Sequence, residues 1–374
     1  MAAITDRSDP SLTYTLPFQL THKIYRDVYD KISPQNPDNS AKGKIILITG
    51  GGTGIGAVSE KSTTEPSSSF ENPPAETDQR FQAAAKVWLE AGAEGVVITG
   101  RRKNVLDETA AAFGAAKSKV LTVAADISHD VDTDKMYKET IARFGRVPDV
   151  VLANAGWVSP ALPPAEEKAA TWWSVYEVNV LGLHNTVRSY INSQPDPKKP
   201  TGTVINVNTG LAGVTVPGNS AYGTAKLAAH KYMEFIHLGK CLPQEIVPSF
   251  LEPRLFLNWN VLCGSHTWRR DLEYPTMRSF TLLPGVVSTA LTAQNTEFLP
   301  FAKDKAEQTG GLALYLAQER ADYLKGSLTS INWDIEEMEA HKKEMEAHKK
   351  EIEEDKVLQT KWIPILPCNG GSGF

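Results

Sequence analysis

Short β-branched runs alternate with helical patterns through most of this chain, and that rhythm constrains the fold more than any other feature. "KIILIT" (44 to 49) is bounded by Gly43 and Gly50 and shows no polar alternation, as expected of a strand buried on both faces of a parallel sheet. Similar runs follow at "GVVIT", "KVLTVA", "DVVLA", "TVINVN" and "SFTLL". Between them lie "FQAAAKVWLEAG", "NVLDETAAAFGAAK", "VDTDKMYKETIARFG", "TWWSVYEVNVLGLHNTVRSYI" and "AYGTAKLAAHKYMEFIHL", which read as helices. The alternation predicts an α/β fold, a doubly wound parallel sheet with helices on both faces.

Composition narrows the partners. A net charge of -5 gives no basic face for nucleic acid, and no run approaches the roughly 18 apolar residues of a membrane span. The opening "MAAITDRSDPSLTYTLPFQL" lacks an apolar core with a positive flank, which argues against a secretory signal. Cys241, Cys263 and Cys368 match no metal spacing, so no metal is expected, and sparse cysteine suggests a reducing, cytoplasmic setting.

Residues 1–43, polar and dotted with proline, read as an arm on the outside of the domain. Residues 44–333 form the domain, and 334–374 a helical tail in which "EMEAHKK" occurs twice in tandem. Two heptads are too few for a coiled coil, so the tail reads as a solvent-exposed, charge-laced helix. Two segments break the rhythm: about 58–79, rich in Ser, Thr, Pro and Glu, and about 239–271, which has no clear period. Joining the chain across either restores a normal connection, so both read as insertions in a single domain. Val58-Ser59-Glu60 can be encoded GTGAGTGAG and Gln79 CAG, and Gly239-Lys240-Cys241 can contain GTAAGT. Retained introns are therefore one origin, and genuine surface loops the other.

The first strand runs into "TGGGTGIG", with Gly50, Gly54, Ile55 and Gly56 in the turn. Glycine there permits a tight turn and close approach of backbone to a pyrophosphate, which then meets a helix N-terminus. On its own the motif is also compatible with a simple turn. The second strand ends "VVITGRR"; Gly100 replaces the acid that would bind a ribose 2′-hydroxyl, and Arg101 suits a 2′-phosphate, which favours NADP(H) over NAD(H). Tyr222 and Lys226, four apart in "SAYGTAKL", share a helix face. A lysine ammonium beside a phenol favours the phenolate and makes the tyrosine a candidate general acid or base.

These motifs, together with Asp126 in "AADIS", "ANAG" (153 to 156), Asn179 in "YEVNVLG", Thr209 in "INVNTG" and "LPGVVST" (283 to 289), resemble the classical short-chain dehydrogenase/reductase family in order and spacing. The resemblance covers about 44–333 and implies a Rossmann-type sheet and a small-molecule carbonyl or alcohol substrate. It implies that Asp126 lies near the adenine, that Asn154 seats the cofactor, and that Asn179 kinks its helix and holds a relay water. Arg188 matches a basic cofactor position. Lys226 binds the nicotinamide ribose and Tyr222 exchanges the proton, while Val287 and Thr289 contact the carboxamide. Thr209 stands where the family has a catalytic serine; it keeps a hydroxyl but adds a methyl that restricts its rotamer. Ala153 replaces the first asparagine of the family's Asn-Asn-Ala-Gly. The family often forms homo-oligomers. The expected activity is NADP-preferring hydride transfer to or from a carbonyl or secondary alcohol. The alternatives are a catalytically silent dinucleotide-binding protein or a mis-spliced product with an impaired cofactor loop.

Overall fold

The computed structural model describes residues 3–50, 79–237, 274, 276–288 and 296–342. Both inserted segments, apart from Gln79, lie outside the described residues, as do Gly54, Ile55, Gly56, Thr289 and the second heptad.

Seven strands form one sheet: β1 (Ile45–Thr49), β2 (Gly95–Gly100), β3 (Val120–Ala124), β4 (Val150–Ala153), β5 (Gly202–Val207), β6 (Met277–Leu283) and β7 (Leu328–Ser330). Their order is β3-β2-β1-β4-β5-β6-β7 and every pairing is parallel. This is the expected doubly wound, Rossmann-type sheet. The first six strands correspond to the six β-branched runs. β7 was not anticipated, because three residues cannot display a period.

The helices are α1 (Gln79–Glu90), α2 (Lys103–Ala112), α3 (Asp130–Phe144), α4 (Ala169–Tyr176), α5 (Gly182–Asn192), α6 (Ser220–His237), α7 (Glu307–Leu316) and α8 (Ile335–Ala340). Alternate residues of β1 serve opposite faces. Ile46 and Ile48 join Trp88 of α1 and Leu312 of α7, whereas Ile45 and Leu47 join Tyr137 of α3, Val187 of α5 and Met233 of α6. Helix α7 is the helix expected after the stretch that follows the sixth strand; it is buried from Gln308 to Leu316 and so shows no polar face to set its period. The stretch expected as one helix over 171–191 is divided: α4 passes into a π-helical turn, Glu177–Leu181, before α5 begins.

The arm is not confined to the outside. Ile24 bridges antiparallel to both Ile4 and Trp333, and Leu12, Ile24 and Ile32 are fully buried. Its apolar residues come singly between short 3-10 turns, so each is held by a tertiary partner rather than by a local period. The start of the tail differs from expectation in the same way. Ile335 and Met338 of α8 are buried against Tyr29 and Ile32. The Tyr29 hydroxyl accepts from Ile335 N at 2.9 Å, and Lys31 pairs with Glu339 at 3.0 Å. His341 is exposed, as expected of that heptad position.

Candidate active site

Because all strands are parallel, their C-terminal ends share one edge. The chain leaves β1 for β2 and β3 on one side and returns to β4 on the other, which opens a crevice between the ends of β1 and β4. Gly50 sits at the end of β1 with φ +93°. A Cβ there would lie 2.8 Å from Ala155 Cα, so both the backbone angle and the neighbour require glycine. The β4 end is tied to it: Asn154 Nδ2 donates to Thr49 O at 3.2 Å, and Ala155 N donates to Thr49 Oγ1 at 3.1 Å.

Beyond β4 the chain passes Gly156. A Cβ on that residue would stand 3.2 Å from Asn179 Oδ1 and 3.4 Å from Lys226 Nζ. The two polar groups therefore face one point across a glycine that leaves the space open. Asn179 lies in the π-helical turn and is buried. Its Nδ2 donates to Trp157 O at 2.7 Å and Val175 O at 2.8 Å, and its Oδ1 accepts from Trp157 N at 3.4 Å.

Tyr222 and Lys226 occupy the first turns of α6 and are both buried. The Lys226 ammonium lies 5.8 Å from the Tyr222 ring centroid, within reach of a cation–π contact, and donates to Val207 O at 3.0 Å. Asn208, for which the sequence suggested no role, links the two halves of the site. Its Nδ2 donates to Lys226 O at 2.9 Å and its Oδ1 accepts from Thr209 N at 2.8 Å. Thr209 caps a 3-10 turn, Gly210–Ala212, and its Oγ1 accepts from Leu211 N at 3.3 Å. That leaves its own O–H available to donate.

Thr209, Tyr222 and Val287 line a common cavity of about 150 Å³. The segment Pro284–Val287 that follows β6 is held by Asp304, whose Oδ2 accepts from Val286 N at 2.6 Å. Asn332 Nδ2 donates to Asp304 Oδ1 at 2.8 Å. Burial raises the Asp304 carboxyl to about 6, opposed by Arg26 at 3.9 Å and by these two hydrogen bonds.

The other expected cofactor residues divide. Asp126 follows β3, and its Oδ1 accepts from Ser128 N and Oγ at 3.0 and 2.7 Å. Arg101 follows β2 and is exposed; Ala125 N donates to Gly100 O, so the two strand ends adjoin. Both are at the site edge. Arg188 is not. It lies nine residues beyond Asn179, about 13 Å further along the helical axis, and pairs with Asp134 of α3 at 3.7 Å. Two residues later the Tyr190 hydroxyl donates to Pro148 O, ahead of β4, which puts this end of α5 at the opposite edge of the sheet. The family resemblance suggested Arg188; helix direction removes it from the cofactor edge.

The sequence reading missed cavity residues that come from far away: Tyr14, Thr15 and Phe18 of the arm line it. No local signal marks them, because the other lining residues lie about 140 to 320 residues further along the chain. Phe298, which also lines it, falls in "TALTAQNTEFLPFAKD", the stretch after the sixth strand expected to set specificity.

Among the described residues, no group of His, Cys, Asp or Glu is arranged to hold a metal ion, and no helix is long and apolar enough to cross a membrane. The arrangement defines a nucleotide-crevice protein of Rossmann type with a Tyr-Lys pair at the crevice. Comparisons with known proteins agree. The short chain dehydrogenase family pattern matches residues 82–239, between the two inserted segments. Short chain dehydrogenase citE of Monascus ruber is 26% identical over 334 residues, spanning 87% of this chain and 92% of its own. Short chain dehydrogenase andI of Emericella variicolor is 25% identical, spanning 79% and 84%. Among solved structures, a 3-ketoacyl-(acyl-carrier-protein) reductase from Brucella melitensis complexed with NADH superposes with TM-score 0.55 at 21% identity. That match covers 78% of this chain and 97% of the other. A short-chain type dehydrogenase/reductase from Mycobacterium marinum gives 0.54 at 18%, covering 78% and 94%. Residues 82–239 thus carry the short chain dehydrogenase pattern, and the relatives and solved structures that this chain is similar to are short-chain dehydrogenases and reductases.

Proposed function

We propose that the protein is an NADP-preferring oxidoreductase that interconverts a carbonyl and a secondary alcohol. The observation that carries this reading is the junction of Tyr222, Lys226, Asn179 and Thr209 at one end of one crevice. When bound, the nicotinamide dinucleotide supplies or takes the hydride. Gly50, Asn154, Asp126 and Arg101 are the described residues that would hold it.

The chain's own groups handle the oxygen and its proton. Tyr222 gives its hydroxyl proton to the oxygen in reduction and takes it back in oxidation. The nearby Lys226 ammonium stabilises the phenolate left behind, an effect that grows where water is excluded. Thr209 donates a hydrogen bond to the same oxygen, with its acceptor side already engaged by Leu211 N. Asn208 keeps Thr209 and Lys226 in register through its two side-chain bonds. Asn179 and Lys226 pass that proton on through a water; that Asn179 Oδ1 and Lys226 Nζ both lie near Gly156 supports this reading.

Arg101 has no acidic side chain in place of Gly100 beside it, which supports a 2′-phosphate at the ribose. Cofactor titration with NADPH and NADH, combined with a ketone panel, tests both claims. The expected result is ketone-dependent oxidation of NADPH with kcat/KM about tenfold above NADH, and loss of that margin in Arg101→Ala. Equal rates or an NADH preference would contradict the NADP assignment; cofactor binding with no turnover of any ketone would favour the catalytically silent alternative.

A further inference from the structure

The catalytic cavity has two unlike sets of lining residues. Asn208, Thr209 and Tyr222 bring polar groups, and Tyr14, Phe18 and Phe298 bring aromatic rings. We propose that these three aromatic residues determine specificity, and that the carbon acted on is attached to an aromatic or other planar conjugated ring. This deepens the carbonyl and alcohol reading above and rests on it for the chemistry, though not for the binding.

The aromatic wall is fixed in place. Tyr14 packs against Phe298 with ring centroids 4.9 Å apart at 60°, and against Phe301 at 4.8 Å and 86°. Such tilted and edge-on geometries are the favoured ones and leave a ring's remaining surface to a further aromatic partner. Phe18 is pinned by its backbone, since Trp333 Nε1 donates to Phe18 O at 2.7 Å. Its ring lies on the turn that follows Thr209: a Cβ on Gly210 would collide with the ring, and one on Gly213 would come within 3.3 Å of it. Phe18 therefore adjoins the backbone that presents the oxygen-orienting hydroxyl. The arm behind it is integral to the fold. Arg26 donates to Ser11 O at 2.8 Å, and Ile24 bridges to Trp333.

Size and charge point the same way. The cavity volume of about 150 Å³ is that of a space that accepts one benzene ring. No charged side chain is among the described lining residues, so a charged substrate head would lose its hydration without a partner. A saturated ring of equal size would fill the volume, but its puckered shape would forgo the face and edge contacts that Tyr14, Phe18 and Phe298 offer to a flat one.

A matched pair isolates this. Acetophenone and cyclohexyl methyl ketone differ only in the planarity and aromaticity of the ring. Calorimetric titration of each into the full chain with NADP⁺ present measures binding without turnover, because ketone and oxidised cofactor cannot react. The expected result is acetophenone binding about tenfold tighter, equivalent to about 1.4 kcal/mol, with the margin reduced to about threefold or less in Phe18→Leu and in Tyr14→Leu. The second variant covers the case in which the first fails to fold. Equal binding of the two ketones to the unmodified chain, binding of neither, or a margin that survives both substitutions would overturn the proposal. Turnover of acetophenone with NADPH is read separately. Phe18-dependent binding without turnover would leave the ring site standing and sink the oxidoreductase reading instead.

Discussion

Thr209 shows how a single side chain can meet two demands. Its oxygen accepts from Leu211 N and so shapes the 3-10 turn, while in the proposed mechanism its proton serves the substrate. Replacing it with the near-isosteric valine removes both. The expected outcome for Thr209→Val is a fall in kcat of about 10²-fold, as for loss of one donor to a developing oxyanion, with cofactor affinity retained; unchanged kcat would remove Thr209 from the mechanism. Asp304 gives a pH prediction. Burial raises its carboxyl from an ordinary 3.8 to about 6, so between those values the folded chain holds a proton that the unfolded chain has released. The stabilisation linked to that proton is complete below about 4 and is lost as pH rises through about 6. His230 behaves oppositely: burial lowers its imidazole from 6.5, so that group favours the fold more as pH rises towards 6.5. The stability difference between the unmodified chain and Asp304→Asn isolates the aspartate. It should fall by about 2–3 kcal/mol between pH 4 and 7, measured by denaturant unfolding; a flat or rising difference would contradict the burial account. Tyr222 and Lys226 were legible because helical spacing makes i and i+4 neighbours. Asp304 was not, because its effect depends on Val286 and Asn332, which only the folded chain brings to it.

At the scale of elements, the helix through Asn179 and the arm differ most from what periodicity suggested. A π-helical turn adds one residue to the ring of a normal turn, so an apolar pattern on either side still reads as one helix. The arm carries no period at all, yet it supplies Tyr14 and Phe18 to the cavity and Ile24 and Ile32 to the core. Trp333 joins the arm to the main body through its indole donor to Phe18 O. Trp333→Phe keeps an aromatic ring and deletes that bond. The expected loss is about 0.5–1.5 kcal/mol, with faster proteolytic cleavage in residues 10–20; unchanged cleavage would mean that packing alone holds the arm. The strands were legible because a sheet covered on both faces selects unbroken β-branched runs. β7 was hidden by its brevity, and the bounds of α7 by burial on every side.

For the molecule as a whole, a parallel sheet covered by helices on both faces follows from the alternation of runs, the strand order comes from the folded chain, and the proposed chemistry lies along the edge that holds the C-terminal strand ends. What the motifs could not supply was helix direction, which excludes Arg188, and the path of the arm. The segment 58–79 interrupts the passage from β1 to α1 outside the described residues, and its composition argues that it adds little to the core. A chain lacking those 22 residues is expected to remain soluble, unfold cooperatively and bind NADPH at least as tightly as the full chain. Insolubility or loss of binding in that variant would show that the segment belongs to the working protein. The central claim is that Tyr222 handles the proton of the reacting oxygen. Tyr222→Phe removes only a hydroxyl, so kcat and the cofactor dissociation constant measured side by side test it most directly. The account predicts a fall in kcat of at least about 10²-fold with the dissociation constant within about threefold of the unmodified chain's; turnover retained within that same threefold would contradict it.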